Sequence, residues 1–406
     1  MNSAQVKIIK QTVPVLQEHG EILTRRFYEN MFKNNPEVKG FFNPAHQQSG
    51  TQQRALAGAI CAYAANIDNP TALSGAVDLI AHKHVSLGIK PEHYPIVGSN
   101  LILTIKEVLG DAANDDVIEA WTAAYGQLVD IFVEHEKRLY QQQKAVHGWN
   151  GFKEFTVINK VTESSNITSF YLKPNDGTTL NAQKPGQYIT VRLNIDGKPV
   201  MRNYSLSNAP GDDAFRISVK REPGISADTP HGVVSNYLHD HYQIGDNIEM
   251  APPCGEFVLE IPDDHKTPMV FVAGGVGITP VIAMLHSLFE RANAATRPVY
   301  LFQCVRDLKV LPFANELADL AERHGNFHWK VHLSEQVAAE HTFLGSLHYD
   351  RFSRASLDNV IERQQPIMLH ACGPAALIKD VAMMIQVRDQ PQDTFRYEFF
   401  GPAQAV

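Results

Sequence analysis

The chain has 406 residues, with 44 acidic and 36 basic side chains and therefore a net charge of −8. This length predicts about three domains, and a hydrophobic fraction of 44% excludes wholesale disorder. A mildly acidic chain lacks the positive charge that would draw it to nucleic acid or to an anionic membrane, so neither partner is expected.

The first 140 residues predict helices throughout, because apolar side chains recur at three- and four-residue steps. Val6, Ile9 and Val13 belong to one such stripe, and breaks that contain Pro or Gly separate it from the stripes that follow. Residues 141–150 are polar and carry no apolar stripe, which favours an interdomain linker.

Residues 151–261 change to short β-rich runs separated by turn signals such as Asn175-Asp176-Gly177. Many short strands at near-regular spacing are typical of a small antiparallel β-barrel. In residues 262–406, strand-like and helix-like runs alternate, which predicts an α/β domain with a parallel sheet. The expected fold is thus multidomain, with an all-α domain, a barrel and an α/β domain in that order.

One uncharged stretch, from Pro268 to Phe289, is long enough to cross a bilayer. Glycines and Pro280 interrupt its middle, so we expect a strand, a turn and a buried helix there, and no stable membrane insertion. Widely separated cysteines give poor support to a zinc site or a disulfide framework, so we expect reduced thiols in a cytoplasmic protein. The cysteines are Cys61, Cys254, Cys304 and Cys372.

The interruption is a glycine loop between a predicted strand and a predicted helix. Glycines let the backbone approach a ligand, and the helix N-terminus favours an anion. Thr279 suits the N-cap and Pro280 the first turn. Pro280 also replaces the last glycine of a G-x-G-x-x-G fingerprint, so a plain structural turn and a nucleotide site both stay open. The candidate residues are Gly274, Gly275, Val276, Gly277, Ile278, Thr279 and Pro280.

A second strand-to-helix turn is Cys372-Gly373-Pro374. In a parallel sheet it shares the carboxyl edge with the glycine loop, because parallel strands all point the same way. Two such turns on one edge favour a dinucleotide crevice.

In the barrel segment, strand alternation places Arg202 and Tyr204 on one face and Ser205 on the other. A fixed cation beside an aromatic ring suits a ligand with a phosphate and a flat ring system, although a surface Arg and a packed Tyr would give the same pattern. Downstream, Gly232-Val233-Val234-Ser235 opens a predicted helix and is another candidate phosphate cradle.

Residues 151–406 therefore resemble the ferredoxin–NADP reductase family, whose motifs occur here in the family's order. They are R-x-Y-S at Arg202–Ser205, P-G-Q-Y at Pro185–Tyr188, G-V-V-S at Gly232–Ser235, the glycine loop, the C-G-P turn, and E-F-F-G-P at Glu398–Pro402.

This resemblance implies FAD on the barrel, with Arg202 at the pyrophosphate, Tyr204 and Ser205 at the flavin ring, and Tyr188 near the adenine–ribose side. NAD(P)H would lie in the third segment beside the glycine loop and the C-G-P turn. Phe400 would face the flavin opposite Tyr204. The C-terminal candidates are Phe399, Phe400, Gly401 and Pro402. Nothing in the sequence distinguishes NADH from NADPH.

The run AHKHVSLGIKP carries His82 and His84 on a predicted helix. They are two residues apart and point to separate faces of the helix, so at most one of them is an axial ligand of a haem iron. The alternative is that the histidine has only a structural role. The rest of the segment resembles a globin, and the whole chain resembles the flavohaemoglobins of bacteria and yeast. The residues that carry this resemblance are Tyr28, Phe42, Gln52, Leu56, Lys83, His84, Tyr94 and Glu136.

The globin resemblance implies that residues 1–140 bind haem b, with His84 as the proximal iron ligand. Glu136, assisted by Tyr94, would accept a hydrogen bond from His84 and make it a stronger electron donor. Glu136 could otherwise be a solvated charge like the nearby Glu134.

On the opposite, distal side, the resemblance implies that Tyr28 and Gln52 donate hydrogen bonds to O₂. Leu56 would restrict the distal space, and Phe42 would contact the haem. The implied activity is that of an NAD(P)H-dependent nitric oxide dioxygenase that converts NO and O₂ to nitrate. Two alternatives are a haem-based O₂ or NO sensor and a reductase of lipid hydroperoxides or flavins. The expected partners are small molecules (NO, O₂ and NAD(P)H), and we expect a monomer.

Overall fold

The structure, a computed structural model, describes residues 1–224, 231–264, 266–290, 296–335 and 345–400. Its first part is helical, as the apolar stripes predicted. A capping box begins the first helix, because Asn2 and Gln5 each accept the other's backbone N–H with a side-chain oxygen. The helices are α1 (Ser3–Asn34), α2 (Pro44–Gln48), α3 (Thr51–Ala65), α4 (Ser74–Leu87), α5 (Tyr94–Leu109) and α6 (Asp115–His147).

Helix α1 packs against α3, α5 and α6. It crosses α3 closely at Gly20, where an added Cβ would lie 3.3 Å from the Cβ of Ala57. The apolar side chains of this domain fall into two clusters, one with Tyr28 and Trp121 and the other with Val85 and Phe132. The helical domain therefore has a divided core.

Helix α6 continues through residues 141–147, which the sequence predicts as an interdomain linker without an apolar stripe. Gln143 and His147, one turn apart, are polar but buried, and they line a cavity together with Lys184 of the next domain. Polar side chains buried at a domain interface give no apolar stripe, which explains why the sequence did not indicate a helix here. The helix ends at Gly148, whose φ of +86° suits a glycine C-cap.

The second part forms a six-stranded antiparallel sheet in the order β4-β3-β6-β1-β2-β5. An antiparallel bridge between Leu206 and Ile217 joins the two edges, so the sheet closes into the predicted barrel. Its elements are β1 (Lys153–Ser164), β2 (Ile167–Pro174), β3 (Tyr188–Ile195), β4 (Lys198–Ser205), β5 (Phe215–Lys220), α7 (Val233–His241) and β6 (Asn247–Met250).

The third part is a six-stranded parallel sheet in the order β10-β9-β8-β7-β11-β12. Alternate residues of β7 face opposite sides: Phe271 packs in a core with α8, and Val270 packs in a core with α11. Helices cover both faces, which confirms the predicted α/β class. The elements are β7 (Met269–Gly274), α8 (Ile278–Phe289), β8 (Val299–Val305), α9 (Ala314–Arg323), β9 (Phe327–Leu333), β10 (Ser346–His348), α10 (Arg354–Asp358), β11 (Met368–Cys372), α11 (Ala375–Val387) and β12 (Phe395–Glu398).

The uncharged stretch forms β7, a glycine turn and α8, and α8 is buried along nearly its whole length. Within the described ranges, no helix is both long and apolar enough to cross a membrane.

Candidate functional site

His84 lies in the last turn of α4, and its Nδ1 is 2.7 Å from Oε1 of Glu136 in α6. The hydroxyl of Tyr94, at the start of α5, donates to the same oxygen at 2.5 Å and lies 3.2 Å from Nδ1 of His84. Glu136 is only 2% exposed. Three helices thus build one buried network around this imidazole, and Glu136 is not a solvated charge like Glu134.

The Glu136 carboxylate orients both neighbours. A carboxylate oxygen accepts hydrogen bonds, so Nδ1 of His84 is the ring nitrogen that points to Glu136, and Nε2 is the ring nitrogen on the opposite side that a metal could bind. Burial, and then the hydrogen bond to Glu136, raises the pKa of Tyr94 far above its ordinary value, so this hydroxyl stays protonated. An imidazole oriented in this way is prepared for an axial metal bond.

His82 is engaged elsewhere. Its Nε2 is 2.7 Å from Oε1 of Glu256, and its Nδ1 is 3.1 Å from Sγ of Cys254, both in the barrel domain. Because both ring nitrogens already have partners, His84 is the candidate iron ligand of the pair.

Tyr28 lies on α1 and is 5% exposed. Its ring meets Phe42 edge-on at 5.6 Å between ring centroids and Phe32 at 5.7 Å. Sequence reasoning missed Phe32, although its position one turn after Tyr28 on the same helical face could have indicated it.

Burial raises the pKa of Tyr28 to about 12, and the adjacent Gln52 side chain opposes this rise. Gln52 and Leu56 are half-buried and lie one turn apart on α3. The structure therefore brings a protonated hydroxyl, an amide and an apolar side chain together.

These residues fit a haem. The divided core offers apolar walls on two sides, and 31% of the His84 side chain stays exposed beside the buried Glu136. A nitrogen ligand held by a buried carboxylate, within apolar surroundings, is the donor set of a histidine-ligated haem iron.

Arg202, on β4, is largely desolvated, and burial lowers its pKa. It donates to the backbone oxygen of Met201 at 2.6 Å and to Oδ1 of Asn43 at 3.3 Å, both uncharged. Burial lowers the pKa of the neighbouring His46, and Arg202 and Lys83 lower it further. Three basic groups from two domains thus converge, which suits an anion such as a pyrophosphate.

Ser205, at the end of β4, is 5% exposed, and its Oγ has no hydrogen-bond partner among the described residues. Burial raises the pKa of the adjacent Tyr204, so its hydroxyl stays protonated. A buried polar atom without a partner marks a place where a ligand can complete the hydrogen bonding. Together with the converging basic groups, this fits a flavin nucleotide.

Gly232 is the N-cap of α7 and supplies no side-chain cap. A Cβ on Gly232 would lie 2.5 Å from Oγ of Ser235 and 2.9 Å from Cβ of Glu222, so a side chain there would force these neighbours to shift. Val233 is 47% exposed, whereas Val234 is in the barrel core. The exposed helix start keeps its backbone N–H groups available to an anion.

The glycine loop departs from its prediction at the cap. Gly277 is the N-cap of α8, and Thr279 lies inside the helix, with its hydroxyl donating to the Val276 carbonyl at 3.0 Å. The 3₁₀ turn Gly275–Gly277 runs directly into α8, so the helix begins earlier than Thr279 indicated. Pro280 lies in the first turn, as predicted.

The two predicted turns touch at the same carboxyl edge. Ala273 of β7 pairs with Cys372 of β11, and a Cβ on Gly277 would lie 2.1 Å from the Cys372 carbonyl oxygen. A Cβ on Gly274 would lie 2.7 Å from Cδ of Pro374, and a Cβ on Gly373 would lie 3.0 Å from Cα of Gly274. The Cys372 side chain is fully buried, which raises its pKa. A ligand at this edge would therefore meet backbone groups and not a reactive thiol.

The C-terminal motif is partly described. Phe399 packs against the core and Phe400 is 48% exposed, whereas Gly401 and Pro402 lie outside the described residues. Burial raises the pKa of Glu398 to about 7, and Lys83 of α4 opposes this rise. The third domain thus reaches the residue next to His84.

Tyr188, on β3, lies where the barrel meets α4 and where the charge of the third domain is felt. It is buried beside Ser86 of α4, and the charge of Glu398 acts on it. Its predicted place near the adenine ribose stays a prediction. The sequence did not predict these interactions between domains, because local sequence patterns do not show which loops come together in the fold.

Three family models match the chain in order. A globin model matches residues 25–132, an oxidoreductase FAD-binding domain matches residues 154–259, and an oxidoreductase NAD-binding domain matches residues 271–383.

Whole-chain relatives have the same arrangement. A flavohemoprotein of Rhodopirellula baltica is 45% identical over 100% of this chain and 99% of its own length. The flavohemoglobin of Malassezia yamatoensis, solved with bound FAD and haem, is 25% identical, covers 98% of this chain and 99% of its own, and superposes with a TM-score of 0.82. The FAD/NAD-binding domain of a nitric oxide dioxygenase from Vibrio cholerae is 29% identical, covers 62% of this chain and 99% of its own, and has a TM-score of 0.53.

Proposed function

The chain belongs to the flavohemoprotein family, and from that premise we propose that it is a nitric oxide dioxygenase that uses NAD(P)H and O₂ to convert NO to nitrate. The observation that carries this proposal is the His84–Glu136–Tyr94 network in a chain that also holds FAD-type and NAD-type modules. We assign haem to residues 1–140, FAD to residues 151–261 and NAD(P)H to residues 262–406.

When bound, haem b supplies the iron at which O₂ and NO react, and FAD takes a hydride from NAD(P)H and releases single electrons. The chain's own residues must hold these groups, exclude water and place protons.

On the proximal side, Glu136 keeps the proton of His84 on Nδ1, so that Nε2 remains the ligand atom. The carboxylate also raises the basicity of the imidazole, which favours electron donation to the metal. Tyr94 holds Glu136 in place through its hydroxyl.

On the distal side, Tyr28 remains protonated at neutral pH because its pKa is about 12. It can therefore donate a hydrogen bond to an oxygen that acquires negative charge. Gln52 adds an amide donor, while Leu56 and Phe42 limit the space and keep water out.

In the reductase part, Arg202 and the start of α7 are assigned to the FAD pyrophosphate, and Tyr204 and Ser205 to the flavin. The backbone edge between Gly274 and Cys372 is assigned to NAD(P)H. The charges of Lys83 and Glu398 act on each other's pKa, which supports a short electron path because it brings the nicotinamide domain near the helix that carries His84.

We further infer a cytoplasmic monomer. One chain contributes every residue assigned to the three cofactors, so no second subunit is needed to complete a site. The cysteines are free thiols in the structure, which suits a reducing compartment.

The test is a stoichiometric assay under air with purified, haem- and FAD-loaded protein. One NAD(P)H supplies two electrons, so two NO and two O₂ should give two nitrate, one NAD(P)⁺ and one H⁺. Absence of NO-stimulated NAD(P)H oxidation, or nitrite as the main product, would overturn the assignment.

A further inference from the structure

Metal-binding side chains converge where the globin domain meets the barrel. Asp78 and His82 come from α4, and Glu256 comes from the loop after β6. One ligand atom from each lies within 4.8 Å of the others. We propose that these three side chains bind a divalent transition metal of the zinc class, which bridges the globin and FAD domains.

Helix geometry explains two of the ligands. Asp78 and His82 are four residues apart on α4 and therefore share one face. His84, two residues further, points to another face and takes part in the Glu136 network. One helix thus presents one histidine to each of two separate sites.

The third ligand is held by a fixed loop. Cys254 pairs with Tyr188 through two backbone hydrogen bonds of 2.8 and 2.9 Å. Gly255, at φ +111°, then turns the chain toward α4, and Oε1 of Glu256 reaches 2.7 Å from Nε2 of His82. Because a glycine adopts the positive φ, the loop brings the carboxylate to the helix without backbone strain.

Each helical ligand has an outer partner that orients it. Nε2 of His135 lies 2.7 Å from Oδ1 of Asp78, and Sγ of Cys254 lies 3.1 Å from Nδ1 of His82. Such partners fix the direction of metal ligands. Zinc bonds of about 2.0–2.2 Å place tetrahedral ligand atoms about 3.5 Å apart. Nε2 of His82 and Oε1 of Glu256 are 2.7 Å apart, so these two atoms must separate by roughly 1 Å to admit the ion, while Asp78 approaches them.

A second observation comes from the adjoining cavity, which His82, Glu256 and Gln143 line together. Gln143 is 6% exposed, and neither atom of its amide has a hydrogen-bond partner within the described ranges. The two unpartnered amide atoms of Gln143 therefore offer hydrogen bonds to a ligand or a water molecule in the cavity beside His82 and Glu256. Glu256 is partly exposed, which leaves a path for the ion.

The ligand chemistry selects the ion. One imidazole and two carboxylates suit Zn²⁺ and its transition-metal neighbours, whereas Mg²⁺ and Ca²⁺ prefer oxygen ligands alone. A bound ion would tie α4 to the FAD domain and stabilise their contact.

The experiment uses chelator-treated protein with haem and FAD bound, titrated with Zn²⁺ alone by calorimetry. We expect one tight equivalent, little competition from Mg²⁺, and affinity at least about tenfold weaker in Asp78→Asn and in Glu256→Gln. Glu134→Gln, an exposed carboxylate on α6, is the matched control and should bind like the parent chain. Haem and flavin absorbance shows whether each variant is folded.

Zinc-edge anomalous diffraction from the parent protein locates the ion without any variant. Density between Asp78, His82 and Glu256 would support the proposal. It would be overturned by the absence of binding, by unchanged affinity in both carboxylate variants, or by a Zn–S distance of about 2.3 Å in X-ray absorption that is lost in Cys254→Ser. None of these readouts involves NO turnover, so they are independent of the proposed activity.

Discussion

The two sides of the haem-binding cleft are built differently. On the His84 side, buried Glu136 holds both the imidazole and the Tyr94 hydroxyl at hydrogen-bond distance. On the Tyr28 side, an equally buried hydroxyl faces aromatic rings and the half-buried Gln52. The chain thus orients the proposed iron ligand in advance, and it leaves the proposed distal donor available to a ligand that enters the cleft.

This difference also predicts how each side responds to change. The proximal carboxylate is buried, so loss of one partner leaves polar groups unpaired. The distal hydroxyl should lose only its bond to the ligand. The predictions below use this contrast, from the largest expected effect to the smallest.

Replacement of the proximal imidazole should have the largest effect. His84→Ala removes the only assigned protein bond to the metal, so haem affinity should fall by more than the roughly 10–100-fold that loss of an outer partner costs. Haem titration followed by absorbance measures this. A histidine-ligated spectrum that survived in the variant would contradict the assignment.

Tyr28→Phe should remove the distal hydrogen bond and leave the proximal side unchanged. It retains the ring packing and removes one hydrogen bond to a partly anionic ligand, worth about 1.5–3 kcal/mol. The O₂ dissociation rate should therefore rise about 10–100-fold, as stopped-flow measurements would show. Tyr63→Phe is the control, since that hydroxyl bonds the Ala124 carbonyl at 2.9 Å. An unchanged rate in Tyr28→Phe would refute the distal assignment.

Glu136→Gln should weaken the proximal side while the iron keeps its ligand. An amide is a poorer acceptor than a carboxylate, so the iron–histidine stretching frequency should fall, the haem potential should rise, and NO turnover should fall about tenfold. Tyr94→Phe should shift the same readouts less, since it removes only the support of Glu136. Glu134→Gln should move none of them. Equal effects of Glu134→Gln and Glu136→Gln would exclude a special role for the buried carboxylate.

His370 offers a contrast within the third domain, because it is a buried histidine that has no carboxylate partner among the residues the structure describes. Burial lowers its pKa from 6.5 to about 3. Below pH 6.5 the unfolded chain binds a proton that the folded chain does not, so stability falls as the pH decreases from about 6.5 toward 3.

Between pH 7 and pH 5, this histidine should cost about 2 kcal/mol of unfolding free energy. His370→Gln cannot bind the proton and should show a smaller fall in melting temperature over the same range. Parallel pH profiles for the two proteins would show that His370 is not the responsible group.

The sequence correctly predicted the features that depend on neighbouring residues, namely the helices, the strands and the turns between them. Apolar periodicity identified the helical domain, and alternating strands identified the parallel sheet. Parallel β7 and β11 placed both turns at one edge, since strand direction alone dictates this. Glu136 is buried, which confirms that α6 turns the side chain of Glu136, and not that of Glu134, toward the protein interior.

Long-range contacts could not be predicted in this way. The interaction of Lys83 with Glu398, and that of Arg202 with Asn43, join residues far apart in the sequence. The helical residues 141–147 were missed because their polar side chains are buried at a domain interface. These contacts depend on how the domains pack against one another, and local patterns in the sequence do not show which surfaces meet.

The central claim is that electrons from NAD(P)H reach a haem held by His84 within one chain. Anaerobic addition of NADH to the haem- and FAD-loaded protein under CO tests it most directly. The account predicts bleaching of the flavin followed by a full shift of the Soret band to the ferrous–CO form, with no added mediator. Flavin bleaching with an unmoved Soret band would contradict it.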